Sequence, residues 1–89
     1  MTRKRTKLQI IYDILRILML SEINPTKLAT LVNMPYDRLM NLLKEMNEKG
    51  LVKIVSTGKT KTVGITHKGV ELYEELKKIV ELLNDYGLL

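Results

Sequence analysis

Apolar residues recur along this chain with a helical period up to about residue 50. They alternate with polar ones over residues 51–65, then return to a helical period to the end. From about Thr6 to Leu20, Gln9, Asp13 and Arg16 fall on one narrow polar stripe. Leu8, Ile11, Leu15 and Leu18 lie opposite, and Ile10, Ile14 and Ile17 widen the apolar arc beyond half the circumference. One small domain rarely needs so wide a face, so this helix is expected also to touch a partner subunit. A second helix is predicted from Pro25 to near Asn33. Asn24 is its N-cap, Pro25 suits its first position, and Leu28, Leu31 and Val32 face inward. Pro35 disfavours helical geometry at Met34 and separates it from a third helix, from about Tyr36 to Lys49. That helix carries a buried stripe of Leu39, Leu42, Leu43 and Met46, and Gly50 is its stop.

Leu51–Val55 is rich in β-branched residues and Lys61–Ile65 alternates, so the two read as strands around the turn Ser56–Thr60. Thr66 can cap a fourth helix from about His67 to Asp85, in which Glu71, Glu74, Lys78, Glu81 and Asp85 form a polar stripe. Leu72, Leu76, Ile79, Leu83 and Tyr86 are spaced 4, 3, 4, 3, an a/d seam, while Val70, Tyr73 and Val80 sit to one side and can pack back on the domain. Three helices, a hairpin and a helix make a mainly α, winged helix-turn-helix order. Residues 1–66 form the expected DNA-binding unit, with a basic N-terminal arm. Residues 67–89 form a long C-terminal dimerisation helix. Pairing two seams would bury about ten side chains, enough for a homodimer unless part of the seam is already covered within one subunit.

Charge sharpens this picture. The net charge is +5, but residues 1–21 carry +4, residues 22–50 balance, residues 51–69 carry +4 and residues 70–89 carry −3. A polyanion would meet the first and third stretches, and the acidic tail would point away from it. Helix 3 would enter the major groove N-terminal end first, displaying Asp37, Asn41, Lys44, Glu45 and Glu48 opposite its buried stripe, with Tyr36 and Arg38 at its start and Glu45 and Glu48 at the far end, tilted out of the groove. Arg and Asn can pair bidentately with guanine and adenine edges, and Lys44 suits phosphate. Lys59 and Lys61, among Thr57, Thr60 and Thr62, suit phosphate or the minor groove. The candidate DNA contacts are therefore Tyr36, Asp37, Arg38, Asn41 and Lys44 on helix 3, Thr26 and Lys27 at the start of helix 2, Lys59 and Lys61 on the hairpin, and Arg3, Lys4, Arg5 and Lys7 on the arm. Each segment alone reads as readily as a solvated amphipathic helix, a soluble turn or a solubilising end. Only their ordered combination favours DNA.

The inventory argues against catalysis. The chain has no Cys and a single His, His67, and its serines are Ser21 and Ser56. No His or carboxylate cluster has metal spacing, and Gly50, Gly58, Gly64, Gly69 and Gly87 fit no phosphate-binding loop. No enzyme activity, cofactor, metal or small-molecule ligand is expected. The apolar run Leu8–Leu20 is broken by Gln9, Asp13 and Arg16, so no membrane partner is expected and the expected setting is the cytoplasm, on the nucleoid.

Three stretches, RTKLQIIYDILRIL from Arg5, NPTKLATLVNMPYDRLMNLLKEMNEKGLV from Asn24 and ITHKGVELYEEL from Ile65, carry a family likeness. The chain resembles the small archaeal winged-helix DNA-binding proteins that dimerise by an antiparallel coiled coil of their last helices. E-K-G-L-V followed by I-T-x-K-G is shared with the wider MarR- and PadR-like winged helices. The resemblance implies a homodimer binding double-stranded DNA, either at operators or with sequence tolerance. Pro35 stands where that family usually has a capping Ser or Thr. The last helix, at roughly 29 Å, is short for the family's coiled coil. Abundant Lys, Ile and Glu with a single Gln also fits a hyperthermophile. The expected function is that of a homodimeric, sequence-specific transcriptional regulator. A chromatin-like DNA-coating protein and a winged helix used only for protein contact are the alternatives.

Overall fold

The computed structural model describes residues 5–88. Its elements run α1 (Lys7–Leu18), α2 (Pro25–Val32), α3 (Tyr36–Glu48), β1 (Val52–Thr57), β2 (Thr60–Ile65) and α4 (His67–Asp85). The element order is the one expected from the sequence. α1 is shorter than expected because Thr6 lies outside the helix as its N-cap. Its hydroxyl accepts from the Gln9 amide while the Gln9 side chain accepts from the Thr6 amide, a reciprocal capping box. The Asn24 side chain caps α2 by accepting from the Lys27 amide at 2.8 Å.

α3 ends in a Schellman arrangement around Gly50, at φ 77, with the Leu51 amide donating to the Met46 carbonyl at 2.9 Å. Its last carbonyls are taken up by the first turn of α4. The Thr66 hydroxyl donates to the Gly50 carbonyl at 2.6 Å and the Lys68 ammonium to the Lys49 carbonyl at 2.7 Å. The strands are longer than expected and the turn shorter. β1 and β2 pair antiparallel from Val52↔Ile65 to Thr57↔Thr60, leaving only Gly58 and Lys59 between them. Gly58, at φ 59, takes the first central position of a two-residue turn, where a side chain would be strained. A bridge missing from the sequence reading ties this hairpin to the helices: Ile23, in the α1–α2 loop, exchanges both backbone hydrogen bonds with Val63.

The core gathers Ile14, Leu15 and Leu18 from α1, Leu28, Ala29 and Val32 from α2, Leu39, Met40, Leu43 and Met46 from α3, Val52 and Val63 from the hairpin and Leu76 from α4. α1 sits at its centre, against α2, α4 and β2. That position accounts for most of its wide apolar arc, with Ile14, Leu15 and Leu18 buried and Leu8 left 40% exposed. Three expectations are corrected here. Leu31, expected inward, is 54% exposed, because the buried face of the eight-residue α2 is centred on Pro25 and Val32 and Ala29 fills the place beside them. On α3, Met40 is buried while Leu42 is only half-buried. On α4, Leu76 is buried against the chain's own helices and Leu72 packs partly against the same cluster, so the first half of the expected dimer seam is intramolecular core.

Val80 is buried, and Tyr73 stacks on Tyr12 of α1 with ring centroids 5.5 Å apart and planes at 12°. Partial burial, with Tyr73 beside it, raises the Tyr12 phenol above its ordinary value of 10.0.

Candidate nucleic-acid interface

The exposed face of α3 follows from its burial. With Leu39, Leu43 and Met46 pinned in the core, Asp37, Asn41, Lys44 and Glu48 line up on the outer side at helical spacing, and Arg38 borders them. Pro35 gives this helix no side-chain cap, and Asp37 in the first turn complements the positive end of its dipole. Tyr36 is 42% exposed at the same end. Glu45, expected on the open face, is half-buried, and both its carboxylate oxygens lie within 3.2 Å of the Lys7 ammonium.

A second set converges between α2 and the hairpin. Thr26, Lys27 and Thr30 on one side, and Lys59, Thr60 and Lys61 on the other, line an open cleft of about 430 Å³ with Asn24 at its edge. Lys27 and Lys59 are distant in sequence. The Ile23–Val63 bridge brings their elements together, because it fixes β2 beside the loop that feeds α2. Among the described residues no carboxylate lies within ion-pair distance of Lys27, Lys59 or Lys61, nor of Arg38 or Lys44. Three unneutralised ammonium groups around one cleft make a concentrated positive field suited to phosphate oxygens. Thr60 was named with the hairpin lysines, but Asn24 and Thr30 were not foreseen as lining residues. Thr30 lies one helical turn after Thr26 on the same outward face of α2, a signal available in the spacing.

The arm is divided by the structure. Arg3 and Lys4 lie outside the described residues. Arg5 is not a free arm cation. Its guanidinium pairs with Asp13 at 2.6 Å and donates to the Val32 carbonyl at the end of α2. Both partners are about three-quarters buried, with side-chain exposures of 30% and 26%. Lys7 pairs with Glu45 across from α1 to α3 while its side chain stays 62% exposed. Of the two expected contacts, Arg5 is thus engaged inside the fold and Lys7 is paired at the surface. Arg5→Ala is expected to destabilise the fold by about 1–3 kcal/mol, since it strips a charged hydrogen bond from the α2 terminus. It should leave the salt dependence of DNA binding unchanged. Chemical unfolding together with a salt titration checks both.

The winged helix-turn-helix family matches residues 4–84 of this chain. The chain belongs to that family. In its terms α2 and α3 are the helix-turn-helix and β1–β2 is the wing. No curated protein matches the sequence. Among solved structures, the winged helix is similar to Sso10a-2, a DNA-binding protein from Sulfolobus solfataricus, at 21% identity and TM-score 0.81, over 92% of this chain and 85% of that one. The transcriptional regulator BldR from the same organism matches at 20% identity and TM-score 0.83, over 90% of this chain but 60% of BldR. PcaV, a transcriptional regulator from Streptomyces coelicolor solved with its natural ligand, matches at 15% and 0.84, over 98% and 63%. At these identities the likeness is one of fold. Among the described residues no helix is long and apolar enough to cross a membrane, and no group of three or more His, Asp or Glu is placed to hold a metal ion.

Proposed function

We propose that this winged helix is a homodimeric, sequence-specific double-stranded DNA-binding protein that regulates transcription, acting on the chromosome in the cytoplasm. The observation that carries the reading is the unneutralised set on two neighbouring elements of the helix-turn-helix and on the wing. Arg38, Asn41 and Lys44 stand on the open face of α3, and Lys27, Lys59 and Lys61 ring the α2–wing cleft. In this division the cleft grips backbone phosphates and α3 reads base edges. The names of Sso10a-2 and BldR, a DNA-binding protein and a transcriptional regulator, support it. The acid at the start of α3 favours regulation over coating. Asp37, at the groove-entering end, repels phosphates at every sequence, a cost a general coat has no reason to carry, yet it can accept from a cytosine amino group.

The test is selection of a preferred duplex from a random pool, followed by titration of that duplex and a scrambled one. Arg38→Ala and Asn41→Ala are each expected to cost about 1–3 kcal/mol on the selected site and much less on the scrambled one. Equal losses on both duplexes would favour the coating protein. No binding at low salt would leave a protein-contact module.

A further inference from the structure

The register of the hairpin decides which way its charge faces. Val52↔Ile65, Ile54↔Val63 and Ser56↔Lys61 are opposed pairs at alternate positions, so their side chains share one face of the ribbon. Val52 and Val63 are buried, so this is the face that looks at the helices. Lys61 continues that row past the core, with Lys27 of α2 on the facing wall of the cleft. The opposite face of the wing carries Val55, Thr57 and Thr62. At its base, beside Lys53, the Glu22 carboxylate lies 3.1 Å from where a Cβ of Gly64 would stand.

Hydrogen bonds within the fold narrow the donor set further. Thr30 already donates to the Thr26 carbonyl at 3.3 Å and Thr60 to the Thr57 carbonyl at 2.9 Å. Pro25 has no amide hydrogen, and the Asn24 side chain takes the Lys27 amide. The donors that the cleft keeps for an anion are the ammonium groups of Lys27, Lys59 and Lys61, with Thr26 beside them. Each ammonium is a compact point charge, and such charges on two facing walls suit one anion between them.

Extending the DNA-binding reading above, on which it rests, we propose that the α2–wing cleft closes on a single backbone strand. Lys27 and Lys61 hold the same phosphate, or adjacent ones, from its two sides, and the wing stays out of the minor groove. The Ile23–Val63 bridge holds the two walls together. The minor groove is about 6 Å wide, and two strands about 4.8 Å apart exceed that once their side chains are added. A ribbon therefore enters it only by a long side chain at its tip. The tip here is Gly58 and Lys59, and Lys59 lines the cleft. Arginine, a side chain that minor-groove binders insert, is absent from the wing: the chain's arginines are Arg3, Arg5, Arg16 and Arg38.

The test uses the intact chain and the selected duplex carrying one methylphosphonate at a time, on each strand in turn, with wild type, Lys27→Ala and Lys61→Ala. Both lysines are exposed, so the variants should fold. For wild type, neutralising a gripped phosphate should cost roughly eightfold in affinity at 0.1 M salt. That cost should fall below about twofold in each variant, at the same phosphate or its immediate neighbour on one strand. Silenced phosphates on opposite strands, or further apart, would overturn the single-strand clamp.

A second arm replaces guanine by inosine around the site, which removes the minor-groove amino group and leaves the major-groove edge intact, or covers the flanking minor groove with netropsin. Either change should alter affinity less than about twofold. A loss above about fivefold that disappears in Lys59→Ala would put the wing in the minor groove. Wild-type binding with no phosphate silenced by either variant would overturn the clamp and leave α3 as the reader. No binding at low salt would instead remove the DNA-binding reading itself.

Discussion

Gly69→Ala is expected to lower the stability of this protein by about 3 kcal/mol, although helix propensity alone predicts the opposite. Gly69 lies in the first turn of α4 with an ordinary helical φ, where Ala is favoured over Gly by roughly 1 kcal/mol. A Cβ at this position would stand 2.1 Å from the Leu51 carbonyl oxygen and 2.8 Å from Cγ1 of Ile65. The carbonyl has little room to retreat. Leu51 donates its amide to Met46 at 2.9 Å, closing α3, and its carbonyl accepts from the Thr66 amide at 3.2 Å, opening α4. Relief requires α4 to back away from the α3–β1 corner, which loosens the Thr66 and Lys68 contacts that finish α3. Overpacking against mobile side chains costs about 1–3 kcal/mol, and a backbone obstacle places this site at the upper end. For a domain of this size that is a fall in Tm of roughly 12–24 °C, measurable by thermal unfolding. A rise in Tm would show that propensity governs the site and that the α3–α4 corner is softer than its hydrogen bonds imply.

Gly69 also illustrates what sequence could and could not deliver here. Local signals were readable because they depend on neighbours along the chain. Asn24 before Pro25, Thr66 before α4 and Gly50 after α3 each cap the element predicted from them. Periodicity defined the amphipathic faces but not what covers them. The 4, 3, 4, 3 seam of α4 carried no mark dividing Leu72 and Leu76, which meet the chain's own core, from Ile79 and Tyr86, which do not. Ala29 is buried where Leu31 was expected for the same reason, since a helix of two turns has no spare residues to average over. Arg5 looked like part of an arm because its partners, Asp13 and the Val32 carbonyl, become neighbours only when α1 crosses the end of α2. The cleft is the converse case. Lys27 belonged to a charge-balanced stretch and Lys59 to a basic one, and the Ile23–Val63 bridge, invisible as a pattern, makes them a single feature.

If that cleft grips phosphate, the triple variant Lys27→Ala, Lys59→Ala, Lys61→Ala will weaken DNA binding by roughly 10²–10³-fold at 0.1 M salt, on selected and scrambled duplexes alike. The figure follows from counterion release. Each neutralised phosphate contributes about 0.9 to the slope of log affinity against log salt, so three contribute about 2.7 and, relative to 1 M salt, between two and three decades at 0.1 M. The three side chains are exposed and make no ion pair among the described residues, so their removal should leave the fold and its Tm nearly unchanged. The cost is expected to be indifferent to sequence because an ammonium group on a phosphate carries no base information. This separates it from Arg38→Ala and Asn41→Ala, whose losses should concentrate on the selected site. Salt titrations of both duplexes from 50 to 500 mM with wild type and triple variant measure the slope and the affinity together. A slope lowered by less than one unit would place the phosphates away from the α2–wing cleft. A loss confined to the selected duplex would make the lysines readers of bases or of groove shape.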